Sequence, residues 1–149
     1  MQRAILTILA SIVLFSACSK EETILPEPEE IMQIEIPFPG EWSRQFEAGP
    51  GSWHTATYQV YEDSIRYLLT GPVGNADYVM LRDTFLPENN RFIGHTSEGQ
   101  HYLILVKDST ADSISLYKQK IDEMEEGLAI EVPDAATTEN HGWNTYYIQ

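Results

Sequence analysis

Trp53-His54-Thr55-Ala56-Thr57-Tyr58-Gln59-Val60-Tyr61, then Glu62-Asp63, then Ser64-Ile65-Arg66-Tyr67-Leu68-Leu69-Thr70 spells out a β-hairpin. Its first part is rich in Thr, Tyr and Val, side chains that suit a pleated, half-buried surface. After two acidic turn residues the chain alternates, with Ile65, Tyr67 and Leu69 on one face. Strands joined this tersely pair antiparallel. The same grammar extends both ways. Upstream, 42–47 reads as a short mixed strand. Downstream, strands are expected at 78–86, 91–96, 101–107 and 113–120, with an eighth open at 144–148. Gly71-Pro72 with Gly74-Asn75, the segment 87–90, Glu98-Gly99 and 108–112 separate them. Asp-Ser-Ile occurs at 63–65 and again at 112–114, each time leaving a turn and starting a strand. The Asp side chain can bond its own backbone in the turn, and the β-branched Ile starts the pleat. Helix is confined to a short acidic segment at 122–129 and a turn at Pro133-Asp134-Ala135. Even spacing without a helix of crossover length implies an all-β chain: an antiparallel up-and-down meander of seven to eight strands, closed as a barrel or folded as a β-sandwich.

The N-terminus sets the compartment. Arg3 precedes an apolar run at 4–15. That run falls short of the roughly 20 residues a spanning helix needs but suits a signal-peptide core. Leu14-Phe15-Ser16-Ala17-Cys18 resembles the lipobox of bacterial lipoproteins, with Phe15 where that family usually has Leu. The resemblance implies that 1–17 is a cleaved signal peptide and that the Cys18 thiol carries lipid, palmitate included, which holds the protein to a membrane. Cys18 is the sole cysteine, so no intrachain disulfide explains it, and in an oxidising envelope a lone uncapped thiol is a liability. Ser19-Lys20-Glu21-Glu22 resembles the surface-export tag of Bacteroidota lipoproteins. It implies an outer-membrane protein displayed on the cell surface, with the periplasmic face as the alternative. Residues 18–38, punctuated by Pro26, Pro28 and Pro37 and charged by Glu27, Glu29 and Glu30, read as an extended tether. Ile31, Ile34 and Ile36 leave open a first short strand or an arm laid on the domain. The folded domain is placed at 39–149.

Charge narrows the partners. Among its 149 residues the chain has a formal net charge of −14, and 39–149 holds 17 acidic and 7 basic residues. This balance excludes nucleic acid and opposes docking on anionic lipid, while weakly favouring cationic or metal partners. Catalytic signatures are missing: there is no Gly-x-Ser-x-Gly elbow, no His-Glu-x-x-His and no phosphate-binding glycine loop. Asp77 and Asp83 share a strand face but lie about 20 Å apart, too far for paired acid–base work. Neither an enzyme nor a cofactor is expected.

Gly40-Glu41-Trp42, at the start of the first strand, resembles the Gly-x-Trp signature of the lipocalin family within the calycins. The resemblance implies an eight-stranded barrel in which Gly40 permits a tight chain turn and Trp42 plugs the closed end. It implies a basic residue late in the barrel covering that Trp, here Lys118 or Lys120. It also implies a small hydrophobic or amphipathic ligand held inside. The family's Thr-Asp-x-x-Tyr motif and final helix are not found in the sequence. Tyr58, Tyr67, Tyr78, Tyr102 and Tyr117 are spread over five strands and would suit such a ligand if they point inward; otherwise they are ordinary sheet residues. A competing class is an accessory subunit with a filled barrel that docks on an envelope partner.

His95 and His101 flank Ser97-Glu98-Gly99. A three-residue loop with Gly99 left-handed pairs the two histidines directly, close enough to share a divalent metal such as zinc, with His54 or Glu98 as further ligands. A two-residue loop puts them on opposite faces and removes the idea. Asn140-His141-Gly142-Trp143-Asn144 and the strand after it either close the barrel beside the first strand or form a binding surface.

Overall fold

The computed structural model describes residues 35–133 and 142–149. The chain divides into two units, Met1–Met32 and Gln33–Gln149, and the described residues belong to the second. Cys18, the export tag and most of the tether lie outside the described residues, as do Asp134, Ala135 and His141 of the C-terminal turn.

Eight antiparallel strands form a closed up-and-down barrel: β1 (Gly40–Glu47), β2 (Trp53–Val60), β3 (Ser64–Thr70), β4 (Ala76–Leu86), β5 (Arg91–His95), β6 (His101–Lys107), β7 (Ser113–Ile121) and β8 (Asn144–Ile148). Each strand pairs with the next, and β8 returns to β1 through Trp42↔Ile148 and Ser43↔Tyr147. Closure removes both sheet edges, so the β-sandwich alternative falls. The C-terminal strand thus takes the structural of its two expected roles. The hairpins around the two Asp-Ser-Ile phrases place Ile65 and Ile114 side-in, 1% and 0% exposed.

Strict alternation sorts the side chains onto two faces. Inside, Trp42, Val60, Ile65, Met80, Phe85, Phe92, Ile104, Val106 and Ile114 pack into one core at the end where β1 begins. Ile36 and Phe38 join that core, 4% and 3% exposed. Their sequence reads as tether; the alternative of an arm laid on the domain describes them, because the alternating Ile36-Pro37-Phe38 puts two apolar groups on one side. Trp42 donates its indole N–H to the Phe38 carbonyl at 3.1 Å, which pins the arm across the barrel end. Gly40 has φ +139°, and a side chain there would lie 3.1 Å from that of Ile148. Gly40 and Trp42 therefore sit together at the barrel end where β1 begins.

A second, smaller core lies outside the barrel wall. Ile93, Leu103, Leu105, Ile121 and Trp143 cluster there with Tyr117, Met124 and Ile130. Helix α1 (Met124–Ala129), found within the expected acidic segment, covers part of them. Arg91, 4% exposed, anchors it: the guanidinium donates to the carbonyls of Gly127, of Leu128 at 2.9 Å and of Ile130 at 2.7 Å. A cation on carbonyls at a helix C-terminus also suits the helix dipole.

Candidate functional site

The barrel interior changes character along its axis. Above the apolar core, cross-strand pairing stacks tyrosines into a girdle. Tyr58 opposes Tyr67, and Tyr67 opposes Tyr78. Ring centroids stand 5.0 Å apart for Tyr58–Tyr67, 5.4 Å for Tyr67–Tyr78, 5.2 Å for Tyr78–Tyr102 and 5.0 Å for Tyr58–Tyr146. Four of the five expected tyrosines thus meet inside. Tyr117 does not. It sits on the outward parity of β7 between Leu116 and Lys118 and packs against Trp143, with ring centroids 5.8 Å apart. The sequence marks Tyr117 as a strand tyrosine, but only the register fixes its face.

Lys118 occupies the centre of the girdle. Its ammonium lies 3.3 Å from the Tyr67 ring centroid and between 5.5 and 5.9 Å from those of Tyr58, Tyr78 and Tyr102. It donates a hydrogen bond to the Tyr78 hydroxyl at 3.0 Å. The expected lid for Trp42 is instead a caged cation, since inward parity on β7 carries Lys118 into the tyrosines. Among the described residues no carboxylate pairs with it. Burial pushes its pKa down to about 8. Burial likewise raises the phenols: Tyr67 is pushed up to about 12, and Tyr58, Tyr78 and Tyr146 also rise. The ring therefore presents neutral hydroxyls around one ammonium.

Next to the cage is a partly open cavity of about 120 Å³. Arg44, Phe46, Tyr67, Lys118, Asn144 and Tyr146 line it. Arg44 stacks over Phe46, 5.1 Å from the ring centroid, and among the described residues it too has no carboxylate partner. Phe46 and His54 stack beside the mouth at 5.6 Å. A larger space of about 940 Å³ lies against the wall where the first half of β4 runs past the end of β5. It is open and bordered by Arg66, Asp77, Val79, Leu81, Glu98 and Lys120. Tyr78 and Tyr102, which line it, form the partition between it and the Lys118 cage.

The second candidate site is on the outer wall. Thr96 N–H donates to the Gln100 carbonyl at 2.9 Å, and Gly99 has φ +79°. The three-residue loop is therefore the one formed, and His95 pairs with His101. Their ring centroids are 5.8 Å apart. The third member is Asp83, whose carboxylate lies 2.5 Å from His95 Nδ1 and 3.8 Å from His101 Nε2. Neither guessed ligand joins them. His54 is buried on β2, its Nδ1 3.1 Å from the Ser52 carbonyl, and Glu98 stays at the loop tip. Asp77, on the same face as Asp83, is bound instead to Arg66 at 2.7 Å.

No protein-family model gives a significant match to the chain, and no curated protein or solved structure does either. Among the described residues no helix is long and apolar enough to cross a membrane.

Proposed function

We propose that the chain is a lipid-anchored cell-envelope binding protein whose barrel takes the anionic end of a small amphipathic molecule. The observation that carries this is Lys118: a half-buried ammonium amid phenols, with no carboxylate partner among the described residues, facing a cavity it shares with Arg44. A buried unpaired charge destabilises a fold unless something compensates it. An incoming carboxylate would do so, accepting hydrogen bonds from Lys118, from Arg44 and from the hydroxyls held protonated by burial. At about 120 Å³ the cavity holds about four waters' volume, enough for a carboxylate and a few carbons. The rest of the molecule would leave past Phe46 and Asn144. The lipid on Cys18, the Lys20-Glu21-Glu22 tag and the tether would hold this cup away from the membrane on the outer-membrane surface.

One observation favours the second reading, an accessory subunit with a filled barrel docking on an envelope partner. Cavities for drug-sized ligands run to roughly 300 Å³ and above, and this interior is smaller. Calorimetric titration of the full chain in detergent with acetate, butyrate and hexanoate, against the matching alcohols, separates the two. The proposal expects saturable binding of the acids only, weakened at least tenfold in Lys118→Met. Absence of heat with every acid would leave the filled barrel as the better account. The anchor has its own check. Cys18→Ser should move the protein from the membrane fraction to the soluble one, and continued membrane association would refute lipid anchoring at this residue.

A further inference from the structure

We propose that Asp83, His95 and His101 bind one first-row divalent cation, of which zinc is the best match, on the outer wall of the barrel. Three independent features of the chain converge here. The first is the β5–β6 hairpin. Its three-residue loop sets His95 against His101, and both imidazoles share the outward face with Ile93 and Leu103.

The second is a bulge in β4. At the β4–β5 turn the register is Leu86↔Arg91, Phe85↔Phe92 and Thr84↔Ile93. Continued, it would pair Asp83 with Gly94 and turn the carboxylate into the barrel, away from His95. The structure instead shifts register between Arg82 and Thr84, so that Arg82 pairs with Gly94 and Leu81 with His95. Asp83 is the extra, unpaired residue, and its carboxylate lies outside with the two rings. Bulges commonly re-aim a side chain in this way at functional sites.

The third is an unsatisfied imidazole. His101 Nδ1 is buried without a hydrogen-bond partner. Its Nε2 stands 3.8 Å from Asp83, too long for a hydrogen bond. An orphaned nitrogen on an imidazole beside a carboxylate asks for an explanation beyond packing. Nε2, the nitrogen on the Asp83 side of the ring, is open to take a cation.

The dimensions fit. One ligand atom from each of the three residues lies within 4.8 Å of the others. Donors around a tetrahedral zinc at about 2.0–2.2 Å stand about 3.4 Å from one another, so small side-chain rotations close the site. Two imidazoles and a carboxylate are a donor set zinc accepts, and three protein ligands leave a fourth position for water. The His95 side chain is 39% exposed, His101 28% and Asp83 19%, so the site is reachable yet partly sheltered. The His95–Asp83 hydrogen bond is the competing explanation: an ion-free surface pair that fixes the bulge. In the zinc-bound state that proton leaves Nδ1 for Nε2 or solvent, and the lone pair turns to the metal.

Zinc chloride titrated calorimetrically into the full chain, purified without a histidine tag, decides between them. Expected are one zinc per chain, at least a tenfold loss of affinity in each of His95→Ala, His101→Ala and Asp83→Asn, and no change in Glu98→Ala. Cobalt(II) loaded in place of zinc should give the strong visible absorption of a tetrahedral site, lost in the same three variants. Circular dichroism matching the parent chain shows that a variant is folded. No heat, several weak sites insensitive to the three substitutions, or an unchanged Asp83→Asn would each overturn the three-ligand site.

Discussion

The inside of the girdle and the outside of the bulge are mirror images in charge. Within the barrel, Lys118 is a cation wrapped in phenols, with no carboxylate paired to it among the described residues. Across the wall, Asp83 is a carboxylate set beside the imidazoles of His95 and His101. The girdle has its geometry from unbroken alternation, since Tyr58, Tyr67 and Tyr78 are successive cross-strand partners. The bulge cluster has its geometry from a break in alternation. One barrel therefore sets a cation among phenols inside and a carboxylate among imidazoles outside, the two arrangements on which the proposed anion and metal sites rest. A regular register carries Lys118 inward among the tyrosines, whereas an irregularity in β4 is what brings Asp83 out beside His95 and His101.

The largest effect tests the inner half of this contrast. The depression of the Lys118 pKa from 10.5 to about 8 corresponds to about 3 kcal/mol of disfavour for the charged form. Between those two values the unfolded chain keeps a proton that the folded chain has released. Stability should therefore rise with pH across that window. The phenols oppose it only above about pH 10, where raised folded pKa values make stability fall with pH. Denaturant unfolding from pH 7.5 to 9.5 should show the rise in the parent chain and lose it in Lys118→Met. At pH 7 that variant should be more stable by about 1–3 kcal/mol, less than the full figure because the Tyr78 hydrogen bond and the ring contacts go too. A parent stability flat with pH, or the same rise in the variant, would mean the charge is not buried as described. A side chain that costs stability while enabling binding is what a functional site looks like.

The strands were legible because each follows one pattern. The expected ranges 64–70, 101–107 and 144–148 coincide with β3, β6 and β8, and the remaining strands differ by at most two residues at an end. Hairpin chemistry was legible as well: Gly99 in a three-residue loop is enough to pair His95 with His101. Face assignments were less so. Tyr117 and Lys118 are neighbours on one strand, and the parity of Ile114 and Leu116 turns the charged residue inward and the aromatic one out, against what their polarity alone suggests. Ile36 and Phe38 sit among prolines and resemble tether until the barrel end is there to receive them. Asp83 was hidden most deeply. Arg82-Asp83-Thr84 carries no glycine or proline to announce a bulge, and counting back from the β4–β5 turn places its side chain in the barrel. Arg44 and Tyr146 went unnoticed because strand closure between β8 and β1 is a contact between chain ends.

Gly94 offers the finer cut between the two sites. It is paired with Tyr102 on one side and Arg82 on the other, one residue from His95. A Cβ there would stand 2.4 Å from the Leu81 carbonyl oxygen and 2.7 Å from the Phe92 ring. The oxygen belongs to backbone and cannot swing aside, and Phe92 is fully buried, so β4 and β5 must part at the base of the bulge. Gly94→Ala should destabilise by about 1–3 kcal/mol, as other overpacked interiors do. Because Leu81 pairs with His95 two residues before Asp83, that parting moves the carboxylate relative to both rings. Zinc affinity should then fall severalfold in the folded variant. Of the girdle, Tyr78 lies on β4 and Tyr102 pairs with Gly94, but the cavity lining Arg44, Phe46, Tyr67, Lys118 and Tyr146 belongs to β1, β3, β7 and β8, so carboxylate affinity should move less. Equal losses at the two sites would show that they do not owe their geometry to separate parts of the register, and an unchanged zinc affinity would show that the bulge does not place Asp83.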